Sequence, residues 1–160
     1  MNLPQIRHAT LADANTLVDF NRAMALETEG LHLIPELLAL GVERVLTEPQ
    51  RGFYLVSQCD QQVVGALLVT YEWSDWRNGN WWWIQSVYVR PDFRKQGIFR
   101  GLYQFVSQLA QQDTTVCGLR LYAERDNTAA LATYTKLGMR MTHYSMLEKL
   151  KPGITYCQPG

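Results

Sequence analysis

Cysteine, histidine and one-sided charge are all scarce in this chain, and each scarcity removes a class of function. Only three cysteines occur in 160 residues, Cys59, Cys117 and Cys157, far apart and odd in number. They read as reduced thiols of a cytoplasmic protein, not as a disulfide frame. His8, His32 and His143 share no metal-ligand spacing and have no cysteine partners, so no metal site is expected. Fifteen basic residues balance fifteen acidic ones, which leaves no charge excess to hold nucleic acid or an anionic membrane. The longest uninterrupted apolar run, residues 63–69, is far too short to span a bilayer. The opening M-N-L-P-Q-I-R-H has no apolar core, so no signal peptide is evident. There is no G-x-x-x-x-G-K-[ST], and no G-x-G-x-x-G after the first strand, which disfavours an NTPase or a dinucleotide enzyme. No Ser-His-Asp or Cys-His set stands out.

What is present is a clear alternation of periods. Residues 5–8 read as a first strand, and Thr10 with Asp13 opens a helix over about 11–27. Pro35 begins a second helix that ends near Glu48-Pro49. Residues 53–57 and 63–71 are two strands joined by a turn at 59–62, hence antiparallel neighbours. A strand at 81–89, a helix at 98–112 and a strand at 119–123 follow. Asp126-Asn127 then caps a short helix at 128–136, closed by Gly138. Residues 139–150 should hold the last strand or strands, and 151–160 a loose tail. The expected fold is α/β (α+β): one domain over 1–150, with a mixed, mostly antiparallel central sheet of six to seven strands flanked by about four helices.

The chain is organised around Ser86 to Tyr103. A strand stopped by Pro91 gives way to the basic loop Arg94-Lys95-Gln96-Gly97. An apolar helix face then begins at Ile98. Such a loop directs unpaired N–H groups and the positive end of a helix dipole at one spot, a place to hold a phosphate. By itself it is equally an ordinary connection with a solvated basic face.

With Asn127, Tyr134 and Gly138 further on, this segment resembles the GNAT superfamily of acyl-CoA-dependent N-acyltransferases. The likeness covers residues 5 to 148. Arg94-x-x-Gly97-x-Phe99 matches the first two anchors of the family's (Arg/Gln)-x-x-Gly-x-(Gly/Ala) segment. It departs at the third, where the family keeps a small residue because the backbone approaches the phosphates closely. Phe99 fits there with its side chain turned inward.

The resemblance implies acetyl-CoA as acyl donor and no metal. Arg94, Lys95, Gln96, Gly97, Ile98, Phe99 and Arg100 would wrap its pyrophosphate, and the backbone of Val87, Tyr88 and Val89 would pair with pantetheine like an added strand. Asn127 would contact the pantetheine or a nearby loop, and is otherwise an N-cap. Tyr134 would protonate the leaving thiolate, and is otherwise a core residue. Many family members carry an acid at the position matching Gln85 or Ser86, where neither residue can act as a base. Glu72, taken to lie beside that position across the sheet, is the replacement base or else a solvated edge carboxylate. Glu27, Glu29, Trp73, Asp75 and Gln85 would line the site of a primary-amine acceptor, a small molecule or a peptide, since acids among aromatics suit a cation. Trp76 and Trp81 to Trp83 belong to the same region, and the competing reading makes half of the tryptophans there core, because a strand buried on both faces takes Trp on each side. The expected activity is N-acetyl transfer; the alternative is a non-catalytic acyl-CoA-binding or sensory module. The aromatic strands and C-terminal strand are compatible with a homodimer.

Overall fold

The computed structural model describes residues 2–159, and these fall into two compact units. The first holds residues up to Arg120 together with the stretch from Tyr156, and the second runs from Leu121 to Thr155.

In the first unit five strands lie in sequence order: β1 (Gln5–His8), β2 (Gly52–Cys59), β3 (Gln62–Ser74), β4 (Gly79–Val89) and β5 (Val116–Arg120). The first four are antiparallel, and β5 joins β4 in parallel. Asp60 and Gln61 make the β2–β3 turn with φ of 47° and 67°, the left-handed pair that a two-residue hairpin requires. Two helices, α1 (Ala14–Glu29) and α2 (Pro35–Thr47), close one face of the sheet. Leu17 and Phe20 of α1 and Val42 of α2 pack there on Tyr54, Val56, Ala66, Leu68 and Tyr88. On the opposite face lies α3 (Ile98–Gln112), burying Ile98, Leu102, Tyr103 and Val106. Its fit is close enough that a Cβ on Gly65 would come within 2.8 Å of Ile98. Together with α4 (Thr128–Lys136) in the second unit, this makes the four helices expected.

The strand count differs from expectation: five strands form the sheet, not six to seven. Residues 139–150 carry no ladder, and Met141, Tyr144, Met146 and Leu147 are exposed. Their apolar positions change phase at His143-Tyr144, from Met139 and Met141 to Tyr144 and Met146, so one pleat cannot gather them on one face. The fifth strand occupies Val116–Arg120 instead of 119–123. It ends where its ladder with β4 ends, at Trp83 paired with Arg120. The tail is also more ordered than expected. Cys157 bridges Leu33 between α1 and α2, the Ile34 N–H donates to Tyr156 O at 3.1 Å, and the Gln158 N–H donates to His32 O at 2.7 Å. Among the described residues no helix is long and apolar enough to cross a membrane.

Two contacts hold the first unit in register. Arg7 on β1 donates to both carboxylate oxygens of Asp13, at 2.8 and 3.0 Å, while the Thr10 N–H donates to Asp13 Oδ2 at 2.7 Å. The Arg7 guanidinium therefore holds the buried Asp13 carboxyl below the usual carboxylate range, against the opposing effect of burial. On β5, Gly118 leaves the space that the Trp81 ring fills, since a Cβ there would stand 2.5 Å from a ring carbon.

Asp13→Ala should cost about 1–3 kcal/mol in urea unfolding, the range for losing hydrogen bonds to a charged group. The folded carboxyl lies below its unfolded value of about 4, so this stabilisation is complete above that pH. It is lost as falling pH carries the carboxyl through its lowered folded value, and the variant should lack that acid-sensitive component. Gly118→Ala should cost about 1–3 kcal/mol through overpacking against Trp81, read in the same unfolding measurement.

Candidate active site

The segment between β4 and α3 forms an open cradle. Pro91–Phe93 make a single 3-10 turn, after which Lys95 takes φ of 62° and Gly97 takes φ of 81°. Gly97 is the N-cap of α3, and no side chain caps that first turn, nor does an acid stand in it. The first helical hydrogen bond runs from the Gly101 N–H to Gly97 O at 3.0 Å. The N–H groups of Ile98, Phe99 and Arg100 precede it and point out of the helix end. A Cβ on Gly97 would meet nothing within 4 Å, so the glycine answers to its left-handed backbone and the space above it is open. Lys95 and Arg100 are exposed and make no ion pair among the described residues. Ile98 is buried, so its backbone alone can serve a ligand. Phe99 is half-buried, its ring tilted against Tyr103 at 6.2 Å. Its ring thus packs along α3 against a residue that is itself buried.

Arg94 has a different setting from its neighbours. Its Nε donates to Val89 O at 2.8 Å, its Nη2 to Glu27 Oε2 at 2.9 Å, and its guanidinium stands 5.5 Å from the Tyr88 ring. Glu27, at the end of α1, is thus joined to the cradle, while Glu29 is exposed at the last position of that helix. Burial is the main cause that pushes the Tyr88 phenol up, Glu27 adds to it, and Arg94 opposes it. Gln96 donates to Asp92 O at 3.0 Å and braces the loop from inside.

Beside the cradle, β4 parts from β5. The parallel ladder stops at Trp83–Arg120, yet β4 continues to Val89 with β3 on its other side. Ser86, at φ of 51°, forms a bulge at which the β3–β4 register shifts. Val87 to Val89 therefore present an edge with no β5 partner, the geometry to which an extended ligand can add.

The sheet face next to that edge carries Gln85, Trp83 and Trp81 from β4, with Thr70 and Glu72 from β3. Here the register corrects one expectation. Gln85 lies opposite Leu68, and Glu72 opposite Trp81, so the two are not neighbours across the sheet. Gln85 Nε2 donates to Thr70 Oγ1 at 2.5 Å. Glu72 Oε1 accepts from Trp83 Nε1 at 2.7 Å and from Arg120 Nη1 at 3.2 Å. Trp73, next in sequence to Glu72, points to the other face and is 58% exposed. Asp75 lies in the β3–β4 turn, where Oδ1 accepts from the Trp76 N–H at 2.9 Å. Of the three consecutive tryptophans, Trp82 alone is buried, stacked edge-on against Phe53 at 5.2 Å. Arg120 and Arg77 are functional candidates that the sequence pattern did not single out. Arg120 is unmarked in sequence because its partner Glu72 lies 48 residues away, and Arg77 because its neighbours Ser74 and Trp81 form no motif.

In the second unit, Asn127 caps α4 by accepting from the Ala130 N–H at 3.1 Å. Tyr134 lies seven residues on, on the same helix face, and lines a cavity of about 330 Å³ with Leu121, Leu131, Met139 and Met141. Burial alone raises its phenol above the ordinary value. Among the described residues no cluster of His, Cys, Asp or Glu could hold a metal ion.

Known proteins share this fold. The family model described as the acetyltransferase (GNAT) family matches residues 18–139. A solved structure described as a possible acetyltransferase from Clostridium difficile 630 is 41% identical, with a TM-score of 0.87, over 94% of this chain and 99% of its own. A predicted acetyltransferase from Clostridium acetobutylicum, solved with acetyl-CoA, shares the fold at 17% identity and a TM-score of 0.76, over 92% of this chain and 96% of its own. The fold also matches a ribosomal-protein-alanine N-acetyltransferase from Brucella melitensis biovar Abortus 2308, at 17% identity and a TM-score of 0.74, over 93% and 100% of the two chains. No curated protein gives a significant match. With three quarters of its length inside the family model and a cradle, an open β4 edge and a parted sheet in the first unit, this chain belongs to the GNAT family of acetyltransferases.

Proposed function

We propose that the protein transfers an acetyl group from acetyl-CoA to a primary amine. The observation that carries this reading is the uncapped first turn of α3, opened by Gly97 beside an unpaired β4 edge. Its N–H groups, with Lys95 and Arg100, suit a pyrophosphate, because dipole and cations act on the same anion. Arg94 serves by bracing the Val89 carbonyl and Glu27, which keeps the loop in shape. Val87 to Val89 offer backbone groups to a pantetheine arm, and Asn127 keeps its Nδ2 for such an arm while Oδ1 caps α4.

When bound, acetyl-CoA supplies an activated carbonyl: the amine nitrogen forms the new C–N bond, the C–S bond breaks, and coenzyme A leaves as thiol. The chain's residues handle charge and protons. Glu72 receives the ammonium and accepts its proton directly or through a water, since Oε2 has no hydrogen-bond partner among the described residues. Tyr134 donates the proton that the thiolate needs. Its phenol is raised from the ordinary value near 10, so the acid form persists through neutral and mildly alkaline pH. Gln85, turned to Thr70, orients the floor and takes no proton. That same neutral residue favours the second reading, a module that binds acyl-CoA and transfers nothing.

Acetyl-CoA at about a hundred times its dissociation constant should stabilise the protein by about 2.7 kcal/mol, seen as a raised melting temperature. Thiol should then be released with an amine present. A raised melting temperature with no release across a broad amine panel would favour the binding module. Tyr134→Phe should lower kcat by about 10²- to 10⁴-fold, the usual range for a lost general acid. The variant should keep the acetyl-CoA melting shift, and undiminished turnover would remove Tyr134 from the mechanism.

A further inference from the structure

The sheet face around Glu72 carries a surplus of positive charge that a simple amine site does not need. Arg120 lies 3.9 Å from the centroid of the Trp81 ring, and Arg77 lies 4.9 Å from the same centroid. Glu72 is the one acid paired to this cluster among the described residues, through Arg120. Arg77 binds the neutral Ser74 hydroxyl at 3.3 Å instead. Both donors to Glu72, Trp83 Nε1 and Arg120 Nη1, use Oε1. That leaves Oε2 without a hydrogen-bond partner among the described residues, on a side chain that is half exposed. The Trp81 ring already has two guanidiniums over it, so it is not available as a cation–π seat for an ammonium. A dication approaching Glu72 meets two like charges for each opposite one.

We propose that this cluster selects acceptors in which the amine sits within a few bonds of an anionic group, that is, small aminocarboxylates or aminophosphates. Arg120 is the specificity-determining residue. The ammonium takes Glu72 Oε2, and the anion takes the free edge of the Arg120 guanidinium, whose planar fork matches a carboxylate or phosphate. Arg77 adds charge of the same sign. The anionic group keeps its bonds throughout: the nitrogen alone is acylated, and its proton leaves towards Glu72. This assignment rests on the acetyl-transfer reading, and the test separates the two.

The measurement is thiol release from acetyl-CoA by the wild-type protein with matched acceptors. Glycine and β-alanine are set against glycine methyl ester, O-phosphoethanolamine against ethanolamine, and putrescine stands as the dication. The anionic member of each pair should have kcat/KM higher by about tenfold or more, carried in KM, as one charge-assisted contact provides. A preference confined to O-phosphoethanolamine would assign the anion as phosphate, and one shared with glycine and β-alanine as any small anion. In Arg120→Gln the ratio within each pair should fall towards one, and Arg120→Lys should restore part of it. Equal rates within both pairs, acid against ester and O-phosphoethanolamine against ethanolamine, or a preference for putrescine, would overturn the proposal while leaving acetyl transfer intact. So would an Arg120→Gln variant that loses activity on both members of a pair alike. No thiol release with any amine would instead sink the acetyl-transfer reading on which this one stands.

Discussion

The parting of β4 from β5 is the constraint on which the first unit's chemistry depends. Two parallel strands that stayed paired to their ends would satisfy each other's backbone groups and leave nothing for a ligand. Here the ladder stops at Trp83–Arg120, and the Ser86 bulge turns the rest of β4 aside while β3 still holds it. The edge from Val87 to Val89 is thus rigid without being filled. A left-handed residue that is not glycine costs of order 1 kcal/mol or more, and it persists when the surrounding sheet determines it. Ser86 is such a residue, placed immediately before the edge it creates.

The cradle and the floor are tied to that parting by charge. Arg94 joins the carbonyl of Val89, at the tip of the edge, to Glu27 at the end of α1. Arg120, at the last rung of the β5 ladder, joins Glu72 on β3. One arginine stands on either side of the opening, each with a carboxylate partner from another element. Both pairs are partly exposed, so each contributes little to stability. Their value lies in direction. Each fixes where a cation and an acid stand relative to an edge that has no side chain of its own to offer.

Much of this was legible in the sequence, and the reason is local. The helix of α3 follows a strong apolar period, Pro35 opens α2, and the β2–β3 hairpin joins two β-branched runs across two residues. The Gly97 loop could be found because its purpose requires a particular backbone, and glycine marks it. What could not be read depends on partners far away in the chain. The end of β5 is set by the course of β4, and the absence of a ladder over 139–150 by a phase change that composition hides. The bridge from Cys157 to Leu33 spans most of the sequence. The position of Glu72 failed for a related reason. The pairing of β3 with β4 is set at the turn that joins them and runs unbroken from Ser74–Gly79 to Leu68–Gln85, which leaves Glu72 four positions along β3 from the partner of Gln85.

The same residues argue that catalytic and selective tasks are divided across this fold. A carboxylate on β4 at the position of Gln85 would sit beside the open edge and could serve as a base there. This chain places a neutral amide at that point and closes it against Thr70. The carboxylate it does keep on that face is displaced along β3 and held by an indole and a guanidinium at one oxygen. A group bound in that way is fixed in position, and its free oxygen faces outward next to positive charge. Such an arrangement is poor at attracting any cation that passes and well suited to one that brings its own anion. On the proposed reading that sheet face discriminates by charge pattern, while the cradle, built from backbone N–H groups, suits a phosphate whatever the acceptor.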